Sequence, residues 1–94
     1  MVHIEAMIVA LQVTGAKSIK EKRARTRGLR DKWGKTAHVA VTESGFQDDW
    51  GRAEWTFVSI SNDRKLIDRT FASIEEDLQT GWDFMVSQIE KESL

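Results

Sequence analysis

The order of apolar patterns along this chain of 94 residues limits its fold more than any other feature of the sequence. Residues 4–13 are nearly all apolar, which is typical of a strand whose two faces are both at least partly covered. Residues 36–44 and 52–61 alternate between apolar and polar side chains, and the loop 45–51 joins them, so we predict a β-hairpin. Residues 82–89 alternate again and predict a fourth strand.

Two helices are predicted between these strands. Ser18 and Glu21 have the spacing of a capping box, in which the serine hydroxyl accepts the glutamate amide and the glutamate side chain reaches back to the serine amide. The helix that follows is expected to end at Trp33. Residues 61–63 offer N-cap side chains for a second helix, whose apolar stripe ends near Gly81.

The resulting order, β-α-β-β-α-β, predicts one α+β domain over residues 1–94. With right-handed crossovers, two helices cover one face of a sheet most economically in a ferredoxin-like sandwich. Its four-stranded antiparallel sheet has the strand order 4-1-3-2, with both helices on one face. The absence of cysteine excludes a disulfide framework, an iron–sulfur cluster and a thiolate zinc site.

A sheet with helices on one side leaves its other face open. Because both sets of alternate residues in the first and third strands are apolar, apolar surface is expected on that face. We expect Val58 and Ile60 to face the helices. The candidate dimer face on the open side is then formed by Ile8, Ala10, Trp55 and Phe57. We favour self-association as the role of this apolar surface. The alternatives are that a C-terminal segment folds across the face or that nucleic-acid bases stack on its aromatic rings.

Charge is distributed unevenly along the chain. The formal net charge is −1, yet residues 17–35 contain nine basic and two acidic residues, a balance of +7. A row of cations on a helix can follow the phosphates of a nucleic acid. The candidate nucleic-acid-binding residues are Lys17, Lys20, Lys22, Arg23, Arg27 and Arg30. The alternative is a solvated helix face that pairs with the acidic residues of the C-terminal part of the chain.

Lys22 lies near the middle of the thin apolar stripe of the first helix, while Gly28 falls on the opposite side. A lysine in such a position usually runs its stem over the core and keeps its ammonium at the edge in water. We therefore expect Lys22 to remain accessible.

The loop of the hairpin contains the adjacent acids Asp48 and Asp49, followed by Trp50. Two neighbouring carboxylates do not supply the six or more oxygen ligands of a Ca²⁺ site, and an Asx turn is their ordinary role. Trp50 is expected either to anchor a partner or to clamp its own loop. The two histidines, His3 and His38, lack metal-ligand spacing, and we find no catalytic constellation.

Three sequence motifs occur in order: K-S-I-K-E-K-R at residues 17–23, E-S-G-F-Q-D-D-W-G-R-A at residues 43–53 and S-N-D at residues 61–63. Together they resemble the YlxP-like family of small uncharacterised bacterial proteins, whose pattern is S-L-K-E-K-R, then E-x-G-[YF]-Q-D-x-W-x-R-A, then S-N-D. The resemblance covers almost the whole chain and implies a ferredoxin-like fold. Genes of this family commonly lie beside those for a translation initiation factor and a ribosome-maturation factor, which implies ribosomal work by association.

Capping explains two of the matched positions, Ser18 and Glu21, and packing explains Ala53. Those left over on the first helix are Lys20, Lys22 and Arg23. Those left over in the hairpin-loop motif are Gln47, Asp48, Trp50 and Arg52.

We therefore expect a cytoplasmic module without enzymatic activity, cofactor, metal or membrane segment. It would bind RNA or a ribosomal particle through the basic first helix and form a homodimer through the open sheet face, with no small-molecule substrate. The alternative is a homodimeric protein-interaction module that has no nucleic-acid role.

Overall fold

A computed structural model describes all residues from Met1 to Leu94. The elements, in chain order, are β1 (His3–Gln12), α1 (Ile19–Thr26), α2 (Gly28–Trp33), β2 (Val39–Gly45), β3 (Arg52–Ser61), α3 (Arg64–Thr80) and β4 (Met85–Ser93). The four strands form one antiparallel sheet in the order β2-β3-β1-β4. This is the predicted order 4-1-3-2 counted from the other edge, and the α+β fold is confirmed.

The core lies between the helices and one face of the sheet. It includes Leu29 and Trp33 from α2, together with the apolar stripe of α3. On β1 and at Val13 directly after it, alternate side chains from Met7 onwards are essentially inaccessible to solvent. None of the helices combines the length and the apolar character needed to cross a membrane.

The predicted orientation of β3 is wrong. Trp55 and Phe57 point into the core and are 3% and 0% exposed, whereas Ile60 on the open face is 47% exposed. In the antiparallel register Val9 pairs with Trp55 and Met7 pairs with Phe57, and paired side chains share a face of the sheet. Two large aromatic rings remove more apolar area from water than the alternate pair of aliphatic side chains, so this orientation is favoured.

The first predicted helix is two short helices that meet at Arg27. Ser18 caps α1 as predicted, because its hydroxyl accepts the amide of Glu21 at 3.0 Å. The Glu21 side chain, however, accepts the amide of Lys17 at 3.2 Å and not the predicted amide of Ser18. Before the break, the hydroxyl of Thr26 donates to the Lys22 carbonyl at 3.1 Å, a contact that often bends helices. After it, Gly28 lies against Trp82, because a Cβ at this position would be 2.7 Å from the indole ring. The glycine thus permits α2 to approach the segment before β4.

That segment, residues 82–84, was expected to begin the fourth strand and instead lies before it, since β4 begins at Met85. The rings of Trp82 and Phe84 stack with their centroids 5.8 Å apart. Asp77 of α3 accepts the indole N–H of Trp82 at 2.8 Å and that of Trp33 at 2.9 Å, and the ammonium of Lys32 donates to it at 2.7 Å. A single carboxylate therefore connects α2, α3 and the approach to β4.

Burial raises the pKa of the Asp77 carboxyl, but the hydrogen bonds from Lys32, Trp82 and Trp33 outweigh it. The resulting pKa lies below the ordinary value of 3.8. The carboxyl group is consequently charged at neutral pH.

Candidate functional site

The structure divides the basic residues of the segment 17–35 into two groups. Three have partners within the chain: Lys22 is buried, Arg25 pairs with Asp83 at 3.1 Å, and Lys32 pairs with Asp77. Arg25 also donates to the carbonyls of Thr14 and Asp83, both at 2.7 Å. The others form no ion pair: Lys17, Lys20, Arg23, Arg27, Arg30 and Lys35.

Three of the unpaired residues converge on one cavity of about 280 Å³. Arg23, Arg27 and Arg30 follow one another by four and three residues, which places them on one side of the α1–α2 segment. Their side chains line the cavity together with Thr26, Glu43 and Trp55. We call Lys20, Arg23, Arg27 and Arg30 the arginine face, and the space beside it the arginine cavity.

Two residues that line the arginine cavity each contain a buried polar atom without a hydrogen-bond partner. The indole N–H of Trp55 and Oε2 of Glu43 are both buried and make no hydrogen bond. Most buried polar atoms in folded proteins have a partner. The guanidinium of Arg30 also lies over the Trp55 ring, 5.8 Å from its centre, which is a cation–π contact.

Lys22 is not accessible, contrary to the prediction. Its side chain is 0% exposed, and its ammonium donates to the carbonyls of Phe46 at 2.7 Å and Arg52 at 3.0 Å. Oε2 of Glu43 lies 3.5 Å from the same nitrogen. Because these acceptors satisfy the ammonium inside the protein, it has no need to reach water. Lys22 therefore leaves the candidate nucleic-acid-binding set and instead holds both ends of the hairpin loop.

The loop that Lys22 holds is further organised by Asp49. Its carboxylate accepts the amide of Gly51 at 2.8 Å and the Nε of Arg52 at 2.8 Å. These two bonds, the Arg52 one foremost, keep the pKa of Asp49 below its ordinary value of 3.8. The Arg52 guanidinium also stacks on Phe46, 4.4 Å from the ring centre, and Phe46 adopts a left-handed φ of 55°. The predicted Asx-type role thus belongs to the second of the two acids.

The remaining residues of the hairpin-loop motif face solvent. Gln47 donates to the Glu43 carbonyl at 3.3 Å, while the Asp48 side chain forms no hydrogen bond or ion pair. Trp50 is 54% exposed, and Phe46 is 41% exposed. The aromatic surface of this protein is therefore found on the hairpin loop and not on the sheet.

The open face of the sheet has an apolar centre and acidic surroundings. Ile8 and Ala10 lie there as predicted and line a shallow cavity with Glu54 and Glu90. The pairing of β1 with β4 places Glu92 on the same face, opposite Ala6. Trp55 and Phe57 are on the other side of the sheet, and the aromatic ring that borders this face is that of Phe46, which lines the same cavity together with Arg52.

Sequence reasoning missed Glu43 and Trp55 as walls of the arginine cavity. Glu43 begins the second of the three motifs, but its proximity to α1 depends on the fold. Trp55 was assigned to the wrong face of the sheet. No three His, Cys, Asp or Glu side chains are grouped closely enough to hold a metal ion.

Comparison with curated proteins gives no match to this chain. A family model described as "Protein of unknown function (DUF503)" matches residues 4–91, which is nearly the whole chain and includes the arginine face, Glu43, the hairpin loop and Trp55. The chain therefore belongs to the DUF503 family.

Proposed function

We propose that this protein binds RNA, free or within a ribosomal particle, through the arginine face. The observation that carries the proposal is that Arg23, Arg27 and Arg30 line one cavity without any ion-pair partner in the chain. Guanidinium groups bind phosphate oxygens in pairs of parallel hydrogen bonds, and their charge attracts the polyanion over a longer range. Lys20, one turn before Arg23, extends the row.

The position of the other charged and aromatic groups supports this choice of surface. The open sheet face carries three acids, Glu54, Glu90 and Glu92, which repel phosphates, and the guanidinium of Arg52 at its margin is already paired with Asp49. Lys22 ties the hairpin loop with its exposed Trp50 directly to α1. A strand of RNA on the arginine face would therefore meet cations first and an aromatic side chain close to α1.

The same proposal includes the finer family assignment and the setting. The three motifs favour a YlxP-like protein within the DUF503 family, and gene association in that family favours work near the ribosome. We propose a cytoplasmic binding module without enzymatic activity or cofactor.

The test is the salt dependence of RNA binding. Fluorescence anisotropy of a labelled single-stranded RNA would be measured between 50 and 200 mM salt for the wild type and for Arg23→Gln/Arg27→Gln. Each lost phosphate contact should reduce the log–log slope by about 0.7, so the double variant should lose about 1.4. The matched control is Lys65→Gln/Arg69→Gln, which removes two exposed charges with the same spacing from α3.

The control variant should keep the slope of the wild type. Equal slopes for all three proteins, or a loss of slope that the control shares, would contradict an arginine-specific contact. Absence of binding by the wild type at 50 mM salt would overturn the proposal itself.

A second candidate function is a homodimer through the open sheet face. Ile60 lies opposite Ile4 at one end of this face and is 47% exposed, and Val58, Ile8 and Ala10 further along the face are only partly buried. Sedimentation of the wild type against Ile8→Glu tests the candidate, because the substitution places a charge at the apolar centre of the open face, and Ile8 is not part of the core. A wild-type dimer that dissociates in the variant supports it, and a wild-type monomer overturns it.

A further inference from the structure

We infer that Trp50 is a base-stacking residue, so that the RNA is single-stranded where it crosses the hairpin loop. The inference rests on the proposed function, because a strand held by the arginine face is what brings a base to the loop. It adds a second binding surface, formed by an aromatic ring and not by cations. It also names the class of RNA that the protein selects.

The hairpin loop is held together without Trp50. The Lys22 ammonium binds the carbonyls at both ends of the loop, and the Asp49 carboxylate accepts hydrogen bonds from Gly51 and Arg52. The side chain of Trp50 is 54% exposed, and the ring–ring and cation–ring contacts of the chain involve other aromatic side chains. The indole ring of Trp50 is therefore available to a ligand.

The backbone on either side of Trp50 is fixed before any ligand arrives. The amide of Asp49 donates to the Phe46 carbonyl at 3.0 Å, and the Gly51 carbonyl accepts the amide of Val13 at 2.8 Å. A tryptophan side chain has only two rotatable bonds to order, so binding to it loses little conformational entropy. The loop thus presents the indole in a defined position, which a stacking platform requires.

The arginine face leads to this loop. Gly34, directly after α2, lies beside Val41 in the first half of β2, because a Cβ at the glycine would be 3.5 Å from the valine Cγ1. Lys22 in α1 instead binds the carbonyl of Phe46, just beyond the end of β2. The row of cations therefore runs along β2 and approaches the loop at its Lys20 end. A strand whose phosphates follow this row is led towards the exposed indole.

The charges of the loop suit a base better than a further phosphate. Arg52 beside the loop is already paired with Asp49 at 2.8 Å, while the carboxylate of Asp48 has no ion pair. A base on Trp50 is uncharged, and the amino groups on base edges are hydrogen-bond donors that a carboxylate attracts. Bases in a duplex are stacked on one another, so only an unpaired nucleotide can place its ring on the indole.

Fluorescence anisotropy with three ligands of equal length tests the inference: a single-stranded RNA, an RNA duplex and a single strand whose sugar–phosphate backbone carries no bases. We expect Trp50→Ala to weaken binding of the single-stranded RNA by about tenfold, because stacking on one base contributes this much. The salt slope should not change, since no phosphate contact is lost. Binding of the duplex and of the abasic strand should stay within about twofold of the wild type.

Two further variants make the comparison specific. Trp50→Phe keeps an aromatic face and should bind single-stranded RNA more tightly than Trp50→Ala. Met85→Ala is the matched control, since it removes a large side chain that is 64% exposed outside the loop, and it should bind all three ligands as the wild type does. Circular dichroism checks the folding of each variant.

Tryptophan emission gives a second measurement of the same contact. A base stacked on an indole quenches its fluorescence, so the emission of the wild type should fall when single-stranded RNA binds. The abasic strand should leave it unchanged, and the fall should be smaller in Trp50→Phe. An equal fall in the wild type and in Trp50→Phe would refute stacking on this residue.

The outcomes separate this inference from the proposed function. If Trp50→Ala binds single-stranded RNA as tightly as the wild type, stacking is refuted and the proposed function stands. If the variant loses affinity equally for all three ligands, selection of unpaired RNA is refuted. If Trp50→Ala weakens binding while Arg23→Gln/Arg27→Gln keeps the wild-type salt slope, the stacking site stands and the arginine face is refuted. Absence of RNA binding by the wild type refutes both.

Discussion

Replacing Lys22 by methionine should destabilise the protein far more than replacing any exposed lysine. The side chain is inaccessible to solvent, and its ammonium donates two hydrogen bonds, one to each end of the hairpin loop. Methionine fills a similar volume but donates nothing. The carbonyls of Phe46 and Arg52 and the carboxylate of Glu43, which is 13% exposed, would then lose their common partner.

The magnitude follows from two opposing effects. Hydrogen bonds to a charged group contribute about 1.5–3 kcal/mol each, while burying an ammonium costs several kcal/mol that the wild type has already offset. Removing one partner of a buried ion pair costs about 3–5 kcal/mol. Apolar burial of the methionine recovers part of this, so we expect a loss of about 3 kcal/mol. A chain of this length has an unfolding free energy of about 5–14 kcal/mol, and the variant should still fold in water.

Urea denaturation followed by tryptophan fluorescence measures the loss. With a denaturant slope of about 1–3 kcal/mol/M, the midpoint should fall by about 1–3 M. Lys20→Met is the matched control, since Lys20 is exposed on the same helix and its loss should change the free energy by about 0.5 kcal/mol or less. The double variant Lys22→Met/Glu43→Gln should lose about 1–2 kcal/mol less of the free energy of unfolding than the two single variants lose together. If Lys22→Met lowers the free energy of unfolding no more than Lys20→Met does, the conclusion that Lys22 holds the two ends of the hairpin loop is refuted.

Two further predictions concern the junction of α2, α3 and the start of β4. Because the pKa of Asp77 is lower in the folded protein than the ordinary 3.8, its carboxylate stabilises the fold above that pH and loses this effect as the pH falls through the folded-state pKa. Asp77→Asn should therefore lower the free energy of unfolding by about 2 kcal/mol at pH 7 and by progressively less below pH 3.8. Urea denaturation of both proteins at each pH measures this difference. A difference that does not change with pH would contradict the prediction. Gly28→Ala should lower the free energy of unfolding by about 1 kcal/mol because of the contact with Trp82, and the same substitution should stabilise a Trp82→Ala protein by about 1 kcal/mol through helix propensity. A stabilising effect in both backgrounds would show that the contact is harmless.

The sequence was sufficient for the fold because its information is periodic. Alternation predicts strands, the i, i+3, i+4 pattern predicts helices, and right-handed crossovers leave few ways to connect them. Periodicity cannot say which side of a strand faces the helices when both sides are apolar. On β3 that choice depends on pairing with β1, so the orientation of Trp55 and Phe57 was predicted wrongly.

The arginine cavity was only half visible in the sequence for a related reason. The spacing of Arg23, Arg27 and Arg30 places them on one side of a helix, which local geometry determines. Glu43 and Trp55, which form the facing wall, belong to β2 and β3. The distance of these two strands from α1 is set by tertiary packing. Gly28 shows the same limit, because the helical pattern puts it on the outer side, where Trp82 then covers it.

The two interpretations of the basic segment apply to different sides of it. Arg25 and Lys32 pair with Asp83 and Asp77, so the acidic C-terminal half neutralises the side of the segment that packs towards Trp82. No acid from that half reaches the arginine face, and the one carboxylate in its cavity, that of Glu43, is already the ion-pair partner of Lys22. Intramolecular pairing therefore explains the cations on one side and leaves those on the other without a partner in the chain. Because Arg23, Arg27 and Arg30 are exposed and form no ion pair within the chain, an anionic ligand is best sought on that side.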